Sequence, residues 1–475
     1  MKKWNLRSAV EEVKTYWNKP PEGKYIPYQE FVAYSVGGIG VNTINSLFGY
    51  VALTANCLLL GSAYQIAPMD LAIMSIVMSI LNLVKTPFIS MLVDNTNTKY
   101  GKFRPYLLIT GVPTAALLIL MAFIPNSLSY PLKCTMLSLI YALLMIFQSL
   151  YALAFTSLAQ VLTPNGEERT GLLSVSQFIY SLGPSIVNLF FPILAGLFAG
   201  GMTGFTAYRT LFPIFSVFGI ILRLWTFKGT EEKIVVPRNY VAKVRFVDGI
   251  SEIKSNKYFW LMTLYNVLGG LKGGIGGILA WYCIYVVRSD AVLGVMNAVI
   301  GTASVPGMLL APLLAKKIGK RSSLIWFNLL RAGFAGLMLV TTKSPFLFLA
   351  CLYLSTAAIG GDGVMVSAMT ADVFDYQQWK TGKRLEGFIT QFSGMLVTAA
   401  MMLFNLILPW FYEHYGLEKD YTVLFQEAVR TPIFNIMIIT TVISCLAAVI
   451  PILFYDMTEK KQAEIIADLK AVSYT

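Results

Sequence analysis

The chain has 475 residues, of which 56% are hydrophobic and 13% charged, and its mean hydropathy is +0.64. A soluble protein needs roughly 25% charged residues to coat its surface. The formal net charge of +12 comes from scarce acids, 25 Asp and Glu against 37 Lys and Arg. These figures exclude an ordinary cytosolic enzyme, a disordered chain and a nucleic-acid binder, and predict an integral membrane protein.

The first 28 residues hold six Lys or Arg and no apolar stretch of the kind a removable leader needs, so the first hydrophobic segment is expected to stay in the mature protein. From residue 30 onward apolar runs recur at about the 20 residues that cross a bilayer core. Twelve spans are predicted: 30–60, 68–93, 105–125, 132–160, 172–199, 208–227, 258–287, 291–315, 323–342, 345–371, 386–411 and 431–455. Such lengths mean helices, since a barrel would show strands of ~10 alternating residues. The five cysteines lie in or beside these runs without a CxxC pair and are expected to pack.

Twenty-seven of the 37 basic residues fall on the side that holds the N-terminus, six on the other side, and four (Lys85, Arg223, Lys272, Arg331) within spans. The positive-inside rule therefore puts both termini in the cytoplasm. The expected organisation is a cytoplasmic tail (1–29), a six-helix bundle (30–227), a cytoplasmic linker (228–257), a second six-helix bundle (258–455) and a C-terminal tail (456–475). The linker contains Pro237 and an amphipathic stretch over Phe246–Ile253. A weak repeat supports the division: the second span ends in the run from Pro87 to Asp94 and leads to Gly101-Lys102, and the eighth ends in the run from Pro312 to Lys317 and leads to Gly319-Lys320-Arg321. Two six-helix halves with a basic loop after the second helix of each resemble the major facilitator transporters.

Two segments carry a narrower resemblance. One is the run from Asp94 through Lys99, Gly101, Lys102 and Arg104 to Pro105; the other is Ala371-Asp372-Val-Phe-Asp375-Tyr376-Gln-Gln-Trp379-Lys380-Thr-Gly382-Lys383-Arg384-Leu-Glu386-Gly387. The chain resembles the glycoside-pentoside-hexuronide:cation symporter family, of the melibiose permease type, in both signatures and in its twelve-span layout. Read without the family, each segment sets carboxylates at a helix end (Asp94; Asp372, Asp375) beside cations of the following loop (Lys99, Lys102, Arg104; Lys380, Lys383, Arg384). Such pairs are expected to latch the cytoplasmic side in one state and part in another, although the cations also serve as topology determinants.

The resemblance implies positions for substrate and cation, and here they hold other residues. The first-helix acid falls on Asn42, the two sodium-binding acids of the second helix on Asn82 and Thr86, the fourth-helix acid on Ala152, a fifth-helix arginine on Gln177 and the eleventh-helix lysine on Thr398. Only neutral oxygens remain at the cation positions, with the positive Lys85 one residue from Thr86, so a strong sodium site is not expected. Asn and Thr in spans serve either interhelical hydrogen bonding or substrate contact.

Lys272 lies about 21 Å from either end of its span at ~1.5 Å per residue, too deep to reach the surface. Asp362, flanked by glycines as Lys272 is, is the expected partner, and the pair is expected to serve substrate binding or proton coupling or, alternatively, to be a structural salt bridge. Arg331, on a peripheral helix, is expected to snorkel. The substrate set is thus Asn42, Asn45, Gln148, Tyr151, Gln177, Lys272, Trp281, Asp362, Gln391 and Thr398, with Tyr151 and Trp281 as stacking surfaces for a sugar ring or, alternatively, as members of an interfacial aromatic belt. His414, the only histidine, lies outside the spans. No nucleotide-binding, zinc-protease or serine-hydrolase motif is present.

The reading is an all-α membrane protein of the major facilitator fold. It is a secondary transporter in the cell membrane that moves a sugar-like (glycoside, pentoside or hexuronide) or other small organic solute by alternating access. It is read as a monomer with no enzymatic activity, resident metal or cofactor, without sodium coupling and with proton coupling open through Asp362. The alternatives are a lysolipid transporter of the same family and a cation-independent facilitator or exchanger.

Overall fold

The computed structural model describes residues 6–94, 96, 98–163, 165–233, 253–382 and 386–473. The chain separates into two compact units, one of Met1–Ile66 with Val77–Tyr240, the other of Ala67–Ile76 with Val241–Thr475. The amphipathic linker stretch up to residue 252, together with Lys383 and Arg384, lies outside the described residues.

After a short helix α1 (Leu6–Thr15), the N-terminal spans are α2 (Tyr28–Gly49), α3 (Pro68–Asp94), α4 (Arg104–Phe123), α5 (Tyr130–Val161), the pair α6 (Gly166–Tyr180) and α7 (Leu182–Phe198), and α8 (Phe205–Gly229). The C-terminal spans open with α9 (Lys257–Leu268), continued by a 3-10 stretch (Gly269–Gly277), one helical turn α10 (Ile278–Trp281) and a π-turn (Tyr282–Val287). They continue with α11 (Asp290–Gly301) and α12 (Ser304–Ile318), α13 (Lys320–Thr341), α14 (Pro345–Thr381), α15 (Glu386–Phe404) and α16 (Ile407–His414), and α17 (Glu427–Leu453); α18 (Glu459–Ser473) follows as a tail. Among the described residues eleven of these helical segments are long and apolar enough to cross a bilayer. With the more polar, glycine-bearing α2 they make the twelve expected. Phe178, Phe198, Val340 and Phe346 point their side chains outward, 76–80% exposed, as a lipid-facing surface requires.

Three spans predicted as continuous are broken, each at or one residue after the position four before a proline. Tyr180 precedes Pro184, Thr302 precedes Pro306 and Asn405 precedes Pro409. A proline supplies no N–H to the carbonyl four residues back, and its ring clashes there. Proline alone is not sufficient, since Pro87 and Pro312 lie inside uninterrupted helices. The seventh span is distorted without proline: six glycines fall between Gly269 and Gly277, and the chain tightens to 3-10 geometry around Lys272. The first span ends at Gly49, earlier than expected, and the tenth runs on to Thr381, so that Asp372, Asp375 and Lys380 lie on one helix.

The sequence repeat has a structural cause. Glu232, just after α8, accepts the backbone N–H groups of Lys102, Phe103 and Arg104 at 2.8, 2.7 and 2.9 Å, capping the free donors at the start of α4. Glu459, just after α17, accepts the N–H of Lys320 at 2.7 Å at the start of α13. Gly101 and Gly319 precede these starts with φ of +103° and +83°, conformations that side chains disfavour. A Cβ there would also stand 2.4 Å from the Glu232 carboxyl carbon or 2.9 Å from a Glu459 oxygen. Each half thus caps its third helix with a glutamate that follows its sixth.

Close backbone approach shapes both bundles. A Cβ on Gly40 of α2 would lie 2.5 Å from the Gly219 carbonyl of α8, and one on Gly307 of α12 would lie 1.9 Å from the Ala357 carbonyl of α14. Small residues at such crossings let dispersion and backbone contact replace the missing hydrophobic drive between helices in lipid.

Candidate functional site

In the C-terminal unit Tyr265 of α9, Lys272 of the 3-10 stretch, Asn328 and Arg331 of α13 and Asp362 of α14 form one polar cluster. The Lys272 ammonium lies over the Tyr265 ring, 4.1 Å from its centroid, and donates to its hydroxyl at 2.7 Å. That hydroxyl in turn donates to Asp362. Asn328 donates from Nδ2 to the Tyr265 oxygen at 2.9 Å and to Asp362 at 2.8 Å. The direct Lys272–Asp362 separation is 3.7 Å, with side chains 8% and 15% exposed. A lone buried charge would be expensive, and the tyrosine and asparagine distribute it.

Arg331 does not snorkel. It is buried, and its Nη2 donates to the Lys272 backbone carbonyl at 2.6 Å. A carbonyl loosened by the 3-10 geometry is a nearer acceptor than the membrane surface. Asn328 and Arg331 are three residues apart, on one helical face; that spacing inside an apolar span was the available sequence signal for both.

The N-terminal unit carries a second polar set. Asn42 donates to the Tyr180 carbonyl at 3.3 Å, Asn45 donates to Asn42 Oδ1 at 3.1 Å, and Gln148 donates to Asn45 Oδ1. Arg223 of α8 donates to Gln148 Oε1 at 3.2 Å and to the Val41 carbonyl at 3.4 Å. Its guanidinium covers the Tyr151 ring at 4.0 Å and is wholly buried. Sequence reasoning had entered Arg223 only in the charge inventory. Lys85 donates to the Met145 carbonyl at 2.8 Å and to Ser149, so adjacent residues of α5 each receive a cation.

Of the expected substrate residues, the structure thus joins Asn42, Asn45 and Gln148 in one group and Lys272 with Asp362 in another. Tyr151 and Trp281 are both fully buried, Tyr151 beneath Arg223 and against Phe155, Trp281 against Tyr412 and Tyr421. Their ring contacts are already used by protein. Gln177 and Gln391 are exposed. Thr398 lines a cavity of about 500 Å³ in the C-terminal unit, with Thr263, Asn266, Ser393 and the apolar Phe259 and Val397, a size suited to a small solute. At the degenerate cation positions, the Thr86 hydroxyl donates to the Asn82 carbonyl of its own helix at 2.7 Å, while the amide of Asn42 serves the chain described above. Among the described residues no group of three His, Cys, Asp or Glu is placed to hold a metal ion.

The expected latch pairs are rearranged. Asp372 is held by Lys320 at 2.8 Å to each carboxylate oxygen. The tenth helix runs past it, so Lys380 projects elsewhere and donates to the Ser255 carbonyl at 2.7 Å. Arg104 donates to the Phe227 carbonyl at 2.8 Å, and Lys102 offers its backbone N–H to Glu232. Asp375 lies on α14 one turn beyond Asp372, and the Asp94 and Glu386 side chains lie outside the described residues.

Comparison with known proteins gives this arrangement its context. Residues 33–459 match the family described as MFS/sugar transport protein. The uncharacterized symporter YnaJ of Bacillus subtilis is 24% identical over 458 residues, 94% of this chain and 96% of that protein. The isoprimeverose transporter of Lactiplantibacillus pentosus is 24% identical over 376 residues, 78% of this chain and 76% of that one. A bacterial homologue of the iron transporter ferroportin, solved in an inward-facing state, superposes with a TM-score of 0.64 over 90% of this chain and 98% of that chain at 13% identity, a likeness of fold alone. Twelve spans, two polar clusters within them and a family match across nearly the whole chain agree: the protein belongs to the MFS/sugar transport family and is a multi-pass membrane transporter.

Proposed function

We propose that the transporter moves a hydroxyl-rich solute bearing a negative charge, a sugar acid or hexuronide, by alternating access in the cell membrane, with both termini cytoplasmic and one chain as the working unit. The observation that carries this is the charge balance of the sequence deep within the spans, where there are four cations (Lys85, Arg223, Lys272, Arg331) and a single carboxylate, Asp362. Intramembrane charges are retained for function because each costs ~2.5 to 3.5 kcal/mol even on insertion scales. An anionic group competes with Asp362 for Lys272, and the released carboxylate then takes up a proton, because its stabilising cation is occupied. That exchange is a route to proton coupling. The cation positions with only neutral oxygens support a sodium-independent cycle. The sugar-like part of the substrate rests on the family and on the isoprimeverose-transporting relative.

Uptake of phenyl β-D-glucuronide and phenyl β-D-glucoside into proteoliposomes tests the reading, because the two differ only in the carboxylate. Preference for the glucuronide by tenfold or more is expected. Equal uptake of both, or uptake of the glucoside alone, sinks the anionic assignment.

A further inference from the structure

The polar chain of the N-terminal unit has a direction. It runs from Arg223 through Gln148, Asn45 and Asn42 to the Tyr180 carbonyl, and every link donates the same way. A row of three amides has no preferred sense by itself, since each offers both N–H and C=O. The two ends decide it. A guanidinium can only donate and a backbone carbonyl can only accept, so Gln148 must turn its oxygen toward Arg223 and Asn42 its nitrogen toward Tyr180. Arg223 is wholly buried, and among the described residues its Nε and Nη1 have no hydrogen-bond partner. The residue therefore keeps a desolvated charge with few contacts of its own, an arrangement that packing alone does not call for. Asn45, in the middle of the chain, is exposed and has one N–H beyond those the chain uses.

From this we infer that Arg223 is a positioning residue that holds the Gln148 end of the Gln148–Asn45–Asn42 amide chain in the sense the Tyr180 carbonyl sets at the other end, and thereby keeps a set pattern of donors presented to the hydroxyl groups of the solute. It deepens the proposed function by assigning the recognition of the neutral, hydroxyl-bearing part to the N-terminal unit. A site built to hydrogen-bond a hydroxyl rejects a ligand that leaves its groups unpaired, so the chain discriminates between epimers of equal charge.

The test uses purified full-length protein and the C4 epimers phenyl β-D-glucuronide and phenyl β-D-galacturonide, whose shared carboxylate leaves the charge contribution constant. The wild type is expected to bind them with affinities at least about tenfold apart. Arg223→Gln, whose side chain accepts as well as donates and so lets Gln148 turn its amide out of the chain, loses most of that ratio, whereas Arg223→Lys, which only donates, keeps it. Gln148→Glu forces Asn45 to donate toward residue 148, which sets its oxygen against Asn42 Oδ1, breaks the chain at that link and also loses the ratio. A merely structural arginine would change stability or expression and leave the ratio intact. Retained discrimination in Arg223→Gln or Gln148→Glu, or none in the wild type, overturns the inference.

A second measurement needs no ligand. Gln148→Glu should be tolerated while Arg223 is present, but lower the melting temperature by about 5 °C more in the Arg223→Gln background, where the new carboxylate is buried without its cation. Additive effects overturn the inference. Failure of the wild type to bind either epimer sinks the anionic-sugar reading instead, and this thermal cycle then decides the role of Arg223.

Discussion

Lys272 and Asp362 stand 3.7 Å apart, and the hydroxyl of Tyr265 lies between them, accepting from the ammonium and donating to the carboxylate. The pair therefore communicates through a group that can be removed without touching either charge. Lys272→Met is expected to abolish binding of an anionic solute, a loss of a hundredfold or more, with the protein still folded. Asp362→Asn keeps binding and loses pH-driven accumulation. Tyr265→Phe keeps both charges and weakens their coupling, so its accumulation falls between wild type and Asp362→Asn. Normal transport by the double variant Lys272→Met with Asp362→Asn would make the pair structural.

Coupling to sodium provides an independent check. With Asn42, Asn82 and Thr86 at the cation positions, exchanging sodium for potassium or choline at fixed pH should leave transport unchanged. A tenfold dependence of apparent affinity on sodium, about 1.4 kcal/mol of coupling, contradicts this. Asn82→Asp is the variant in which sodium sensitivity is most readily regained, tempered by Lys85 three residues on.

Lys320 binds the C-terminal tail twice, through its N–H to Glu459 at 2.7 Å and through its ammonium to Gln462 at 2.6 Å and to Asp372. Glu459→Gln and Asp372→Asn are each expected to cost about 1 to 3 kcal/mol. Because they share Lys320, the double variant should deviate from additivity by more than ~0.5 kcal/mol. Thermal unfolding of the four proteins measures it, and strict additivity argues against a common attachment point.

In the N-terminal unit the matching prediction concerns Glu232, which takes three backbone N–H groups at the start of α4. Glu232→Ala should destabilise by about 1 to 2 kcal/mol, the range of a lost helix cap. Gly101→Ala should destabilise as well, since its φ of +103° and its approach to Glu232 both exclude a side chain. A Gly101→Ala variant that melts with the wild type would remove the steric part of this account.

Outside the membrane spans, the Lys257 and Tyr258 hydrogen bonds pull the Asp456 carboxyl down to about 2. A depressed carboxylate stabilises the fold above the unfolded value of ~3.9 and loses that contribution as pH falls toward 2. Lys257 and Asp456 are both half exposed, so the contribution is under ~1 kcal/mol. Asp456→Asn should melt slightly lower than wild type at pH 6 and together with it at pH 2, and a constant difference would point to packing.

How far the sequence reached can be judged residue by residue. Hydropathy alone fixes the spans, because a bilayer demands ~20 apolar residues and no other arrangement satisfies the backbone there. The same logic exposed Lys272 and Asp362, since a charge where nothing apolar can solvate it must have a partner. The repeat of Gly101-Lys102 and Gly319-Lys320 was visible as a pattern, but its purpose was not, since Glu232 and Glu459 lie some 130 to 140 residues away in the chain. Tertiary structure decided the rest for a single reason: which polar groups meet across helices depends on helix rotation and local winding, neither of which composition encodes. The 3-10 stretch turned the Lys272 carbonyl toward Arg331, the long tenth helix carried Lys380 away from Asp372, and packing of α8 against α2 and α4 brought Arg223 to the end of an amide chain that the sequence presents as three unrelated residues.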